Sequence, residues 1–364
     1  MSNLDPNAIL RGAQLTLVGA YRALQNPRLF NSKVYKQALF AIAAGFAIHL
    51  VIAIPTLIVR VLLWFLGFVV DLQSSQWDVK TLSGLSFIEK SVLQLPFFLM
   101  SAMRFASPAM DEMFMTSLEW VDQTYRVKHE SDDRSTLRAM YYQNLRMYQP
   151  NKSAPESPRK EKKFPYYGVI KFGQQYARRA AISMGIYLLT FVPYIGRFVL
   201  PTASFYSFNK AVGPFPACVV FAFGLILPKR WMVIFLQGFF ASRSLMRELL
   251  EPYFSRVSFS KEQKARWFRD RQGLLFGFGV GFYLILKVQW FGVLIYGIAE
   301  ASTAYLITKI TDPPPLPSES AGFAETQVAW KNKHEFLKLD LAHLDRMNYS
   351  AGEEETKREA SHKD

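Results

Sequence analysis

Residues 38 to 70 are 33 consecutive positions of almost wholly apolar character, punctuated by His49, Pro55 and Arg60. As one helix the run would extend roughly 50 Å, well beyond a hydrocarbon core of about 30 Å. It therefore reads as a strongly tilted or Pro-kinked span, or as two pieces meeting near Pro55. A second apolar stretch, 92 to 121, is broken by Arg104, Asp111, Glu112 and Glu119. Its first part, 92 to 110, reads as membrane-embedded and the remainder as an amphipathic continuation. Apolar character returns at 180 to 209, 216 to 242, 274 to 286 and 288 to 308.

Between these runs the chain is polar and basic. Residues 126 to 179 carry 13 Lys or Arg against 5 acids, the mark of a cytosolic segment under the positive-inside rule. Within it, Leu137, Met140, Tyr141, Leu145 and Tyr148 predict a short helix, and 151 to 163 an unstructured linker. Residues 243 to 271 predict a further basic helical segment in which Arg247 and Glu251 are spaced to pair. The net charge of +14 is spread over these connectors rather than gathered into one stripe. That distribution points to anionic lipid headgroups and excludes nucleic acid as the expected partner. Half the residues are apolar and only 20% charged, a poor match to an ordinary soluble enzyme.

The first 36 residues lack the compact core of a cleavable signal and predict an amphipathic helix. Asp5 caps it, Pro6 opens it, and Leu10, Ala13, Leu17, Tyr21 and Leu24 recur at helical spacing. Such a helix either lies on a membrane surface or packs on the protein's own bundle. Downstream, Thr311 begins TDPPPLP, which terminates any preceding helix. One amphipathic segment, 329 to 346, follows before a polar end.

An internal repeat organises the C-terminal half. Displaced by 96 residues, GIYLLTFVPYIGRFVLP (185–201) aligns with GFYLILKVQWFGVLIYG (281–297). Each copy reads as apolar helix, break, apolar helix, with Pro193 and Gly196 breaking the first and Gly292 the second. The first arms are too short to cross a bilayer, and basic residues flank both ends of each copy. A helical hairpin entering and leaving on one side is the economical reading; the alternative is a pair of kinked spans. Gly277 and Gly281 would let another helix approach closely.

No catalytic, nucleotide-binding or metal-ligating motif is legible, so neither enzymatic activity nor a cofactor is expected. The single cysteine, Cys218, reads as a packing residue, and the sequons at Asn151 and Asn348 as chance matches. Ionisable residues inside apolar runs remain as candidates: Glu300, Arg197, Lys287, His49 and Arg60. Each would form an intramembrane ion or headgroup site, or else pair internally or snorkel to the interface.

Three stretches carry a resemblance: DPNAILRGAQLTLVGAYRALQNP, RELLEPYFSRVSFSKEQKARWFRDRQGLLFGFGVGFYLILK, and GVLIYGIAEASTAYLITKITDPPP. They resemble the fungal transmembrane proteins of the UsgS family, over nearly the whole chain. More distantly, the layout is similar to the etoposide-induced and CysZ-like membrane proteins and to the fungal outer spore wall proteins of lipid droplets. The CysZ-like likeness implies sulfate permeation through a Pro-Gly-Leu-Arg anion turn. Here the turn would be Pro27, Arg28, Leu29, Phe30, with the glycine replaced and the arginine displaced. The spore-wall likeness implies residence in the endoplasmic reticulum or on lipid droplets.

The expectation is an all-α integral membrane protein with cytosolic termini. Its divisions are an amphipathic helix (1–36), a first membrane region (37–125) with the long span, a basic loop (126–179), a second membrane region (180–310) with two Pro/Gly-broken hairpins, and a cytosolic tail (311–364). Its expected role is non-enzymatic: organising lipid or lipid-linked assembly, spore wall included, at a bilayer or droplet monolayer. The alternative is an anion or small-solute permease. A homo-oligomer is left open.

Overall fold

The structure, a computed structural model, describes residues 4–30, 109–131, 137–148, 212–226, 229–286 and 292–340, with isolated positions at 43, 61, 198, 199, 202, 205, 206, 208 and 209. Every regular element among them is a helix. The long N-terminal span, the first copy of the repeat and the 151–163 linker lie outside the described residues, apart from scattered positions.

Helix α1 runs from Pro6 to Leu24. The expected cap forms, with Asp5 accepting from the Asn7 amide at 3.0 Å, and a 3-10 turn follows at Pro27–Phe30. Helix α2 spans Ala109–Lys128, and α3, Tyr141–Met147, stands where the apolar spacing predicts a short helix. The 216–242 run is divided: α4 covers Pro214–Ile226 and α5 Lys229–Leu249. After the short α6 (Glu251–Phe254) comes α7 (Lys261–Asp270), opened by a capping box between Ser260 and Gln263. Helices α8 (Gln272–Leu286) and α9 (Gly292–Ile310) flank 287–291. The second repeat copy is thus two helices, and Gly292 is the first residue of the second. As expected, Thr311 and the prolines after it end α9.

Helices α8 and α9 make an antiparallel hairpin, since Arg271, just before α8, donates from Nε to the Ile310 carbonyl at the end of α9, 2.9 Å away. At 1.5 Å per residue α8 is about 22 Å long and α9 about 28 Å. No described helix is long and apolar enough to cross a membrane.

Helix α1 lies across this hairpin, and small residues determine the contact. Gly277 faces the Ile9 carbonyl, Gly12 the Leu274 carbonyl and Gly281 the Thr16 side chain, each too closely to admit a Cβ. Thr16 Oγ1 donates to the Phe278 carbonyl at 3.2 Å, and Gly19 meets Ser302 on α9. The Gly277/Gly281 spacing therefore does bring a second helix to backbone contact. Gly277→Val should cost about 1–3 kcal/mol, because overlap with backbone is relieved only by displacing α1. A denaturation midpoint equal to that of the parent would contradict this crossing.

On the hairpin's other sides, α2 packs on α9 and α5 on α8. Residues 311–340 do not form a separate tail. Trp330 and Phe336, the latter on α10 (Lys333–Lys338), belong to the main core, and the Arg11 guanidinium donates to the carbonyls of Leu337, at 3.1 Å, and Leu339. The expected boundary at 310 is therefore not a boundary of packing: the Pro-rich turn reverses the chain onto the hairpin's open end.

Candidate functional site

The helix faces are sorted by side-chain size rather than by polarity alone. The residues that α1 buries are mainly small: Ala8, Gly12, Thr16, Gly19 and Ala23, with Leu15. Its bulky stripe points outward, with Leu10, Leu17, Tyr21 and Leu24 all exposed, Leu17 at 69%. Helix α1 thus packs on the bundle, the second of its two sequence readings, while its bulky apolar stripe stays exposed. Further large apolar side chains are exposed on α4 at Phe215 (80%), Val219 and Phe223, on the first half of α5 at Trp231, Ile234 and Phe235, and at the end of α8 at Leu284 and Ile285. Gly238 lies against Tyr283, which places those halves of α5 and α8 side by side. Cys218, expected in the packing, is exposed on α4. It sits on a helix whose bulky apolar residues also face outward.

At the opposite, open end of the hairpin the character reverses. Asp122 on α2 pairs with Arg138 at 3.0 Å, both side chains buried, and accepts from the Tyr142 amide at 2.7 Å. The Arg138 guanidinium lies over the rings of Tyr125 and Tyr141, 4.4 and 4.9 Å from their centroids. Burial raises the Asp122 carboxyl above the ordinary carboxylate range, while the Arg138 charge and the amide bonds pull it down. Nearby, Tyr141 donates to the Thr311 carbonyl, Asn144 to Pro314 at 2.7 Å, and Tyr148 to Pro315 at 2.8 Å. The prolines thus present carbonyls to α3 as well as stopping α9.

Arg271 holds the same end together. Besides Ile310, it donates to the carbonyls of Val328 at 3.2 Å and Gln327 at 3.1 Å, and it stacks over Trp267 at 4.6 Å. Asp270 accepts from the Trp330 amide at 2.7 Å. On a neighbouring side, Arg256 grips Asp111 with two bonds of 2.7 Å, and Glu251 pairs with Lys264 at 3.2 Å. Arg247 lies over the Phe268 ring. Burial together with the neighbouring Arg247 and Arg269 charges lowers the pKa of Arg243. Cations therefore crowd this rim.

The sequence candidates fall differently. Glu300 is fully buried on α9, between Ala299 and Ala301, while Ser302, two residues on, faces α1. Pro27 opens the 3-10 turn, but Arg28 reaches Glu119 at 2.8 Å, so its guanidinium is engaged by a carboxylate of α2. His49, Arg60, Pro193, Gly196, Arg197 and Lys287 lie outside the described residues. Sequence reading passed over Asp122 and Arg138 because they stand 16 positions apart in polar surroundings, where nothing distinguishes a buried ion pair from two solvated charges. Arg271 it took for a headgroup-facing flank; the signal available was its place four residues after Trp267 and directly before an apolar helix. Among the described residues, no group of three His, Cys, Asp or Glu is arranged to hold a metal. No family model matches the chain, and neither a curated protein nor a solved structure matches it.

Proposed function

We propose that this chain is a non-enzymatic integral membrane protein of the endoplasmic reticulum or lipid droplets, which organises lipid from the cytosolic leaflet. The observation that carries this reading is the sorting of α1, which packs its small residues against the glycines of α8 and turns its large ones out, together with the large apolar side chains that α4, α5 and α8 also expose. In water such a surface is a liability, because contiguous exposed apolar area drives association. In hydrocarbon it costs nothing, and helix association there rests on close contact between small residues. Helix α8, about 22 Å long, is shorter than a hydrocarbon core of about 30 Å. A hairpin with its cationic, tail-covered end at the headgroups and its closed end in the acyl region suits a monolayer as well as one leaflet of a bilayer.

The test is localisation in cells fed oleate, with tagged parent protein and the double variant Phe223→Asp/Phe235→Asp. The parent should ring droplets and resist extraction from membranes by alkali. Both substituted positions are exposed, so the bundle should still fold. Each aspartate placed in hydrocarbon costs roughly 2.5–3.5 kcal/mol, so the variant should shift to the soluble fraction. A parent protein that stays dispersed in detergent-free buffer would end this reading.

A further inference from the structure

We propose that a cleft at the hairpin's open end binds a phosphate group. The cleft is about 340 Å3, within the range of small-ligand sites of roughly 300–1,000 Å3. Its walls are Leu137–Ala139, the end of α9 with Thr311–Pro313, and the returning turn through Gln327 and Ala329–Asn332. Arg138, Arg271 and Lys331 line it with one acid, Asp312, whose carboxylate takes a bond from Gln327 Nε2 at 2.5 Å, while Asp122 and Asp270 stand behind the two guanidiniums, 3.0 Å from Arg138 and 3.9 Å from Arg271.

Both guanidiniums are fixed before any ligand arrives. Arg138 is held by Asp122 and two tyrosine rings, Arg271 by three carbonyls and Trp267. A site with its cations already positioned loses little side-chain freedom on binding. The carbonyls at the end of α9 would oppose an anion, but Arg271 takes that of Ile310 and Tyr141 those of Thr308 and Thr311. A second observation points to a ligand. Trp330 lines the cleft, is only 8% exposed, and its indole N–H has no acceptor among the described residues. Buried donors are nearly always satisfied, so an orphan donor beside cations calls for an oxygen acceptor. Donor groups on separate walls suit the several oxygens of a phosphate better than a planar carboxylate.

The phosphate could be supplied by a lipid headgroup or by a free ion. Only the first source rests on the membrane placement proposed above. Titration of the full-length protein in neutral detergent micelles separates the two, with inorganic phosphate and dihexanoyl phosphatidic acid as probes and acetate as control. Saturable binding of either phosphate probe, with acetate much weaker, is expected. Comparable affinity for both probes identifies the free ion, and preference for the lipid identifies the headgroup. Lys331→Glu should weaken binding about tenfold, as loss of a charged hydrogen bond does. Trp330→Phe, which keeps the ring and removes the N–H, should weaken it about threefold or more. Lys338→Glu carries the same charge change outside the cleft and should bind like the parent. Absence of saturable binding by both probes, equal binding of acetate, or equal losses in the two lysine variants would overturn the site. Micelle titration does not depend on insertion or targeting, so its failure would leave the membrane reading standing.

Discussion

Replacing Arg271 by alanine should remove roughly 3–5 kcal/mol of stability, enough to unfold the open end of the hairpin in many molecules. Its guanidinium serves three carbonyls, those of Ile310, Gln327 and Val328, which come from two separate segments. Deletion leaves these acceptors buried without their donor and opens a hole beside Trp267 and Trp330, which it also faces. Lysine cannot rescue the loss: a single ammonium has neither the planar fork nor the stacking face. Denaturant titration in detergent micelles measures the loss, and limited proteolysis should cut first within 311–340. A variant with the parent's midpoint and the parent's cleavage pattern would show that Arg271 does not hold the returning chain.

Arg138→Met should have an effect of similar size, and one that depends on pH. Breaking a buried ion pair by removing one partner costs about 3–5 kcal/mol, because the remaining charge is desolvated alone. Asp122 already has a raised pKa in the folded protein, and Arg138 is the charge that opposes the rise. Without it, the carboxyl rises further. The folded state then holds its proton to higher pH than the unfolded state, where Asp titrates near its ordinary value of about 3.9. Stability of the variant must therefore fall as pH rises from that value through the elevated folded-state pKa. The deficit relative to the parent should be largest at pH 8 and shrink on acidification. A deficit independent of pH would mean that Asp122 and Arg138 do not share their charge.

Much of the helical layout is legible in residue order because caps and breakers act locally. Asp5 and Pro6 open α1, the Thr311 turn closes α9, and the spacing of Leu137, Tyr141 and Leu145 marks α3. The repeat likewise marks the division between α8 and α9. Less legible is what the polar segments do. Arg271 reads as one more basic flank of an apolar run, and Arg138 and Asp122 stand out in no way, since a charged side chain carries no local sign of whether its partner is water, lipid, a distant carboxylate or, for Arg271, a carbonyl 39 to 57 positions away. Residues 311–340 read as a tail for the same reason: Trp330 and Phe336 are too few to announce a core, and only the surfaces they meet make them part of one.

Helix α1 draws the line most clearly. Periodicity established that it is a helix and that Leu10, Leu17, Tyr21 and Leu24 share a face, and Asp5 with Pro6 established where it begins. Which face turns inward was decided only in three dimensions. Hydropathy ranks leucine above glycine for burial in water, whereas backbone contact at Gly12 and Gly277 requires that no large side chain intervene. Close packing selected the small-residue face of α1 for the interior, and the leucines were left exposed on the outer face.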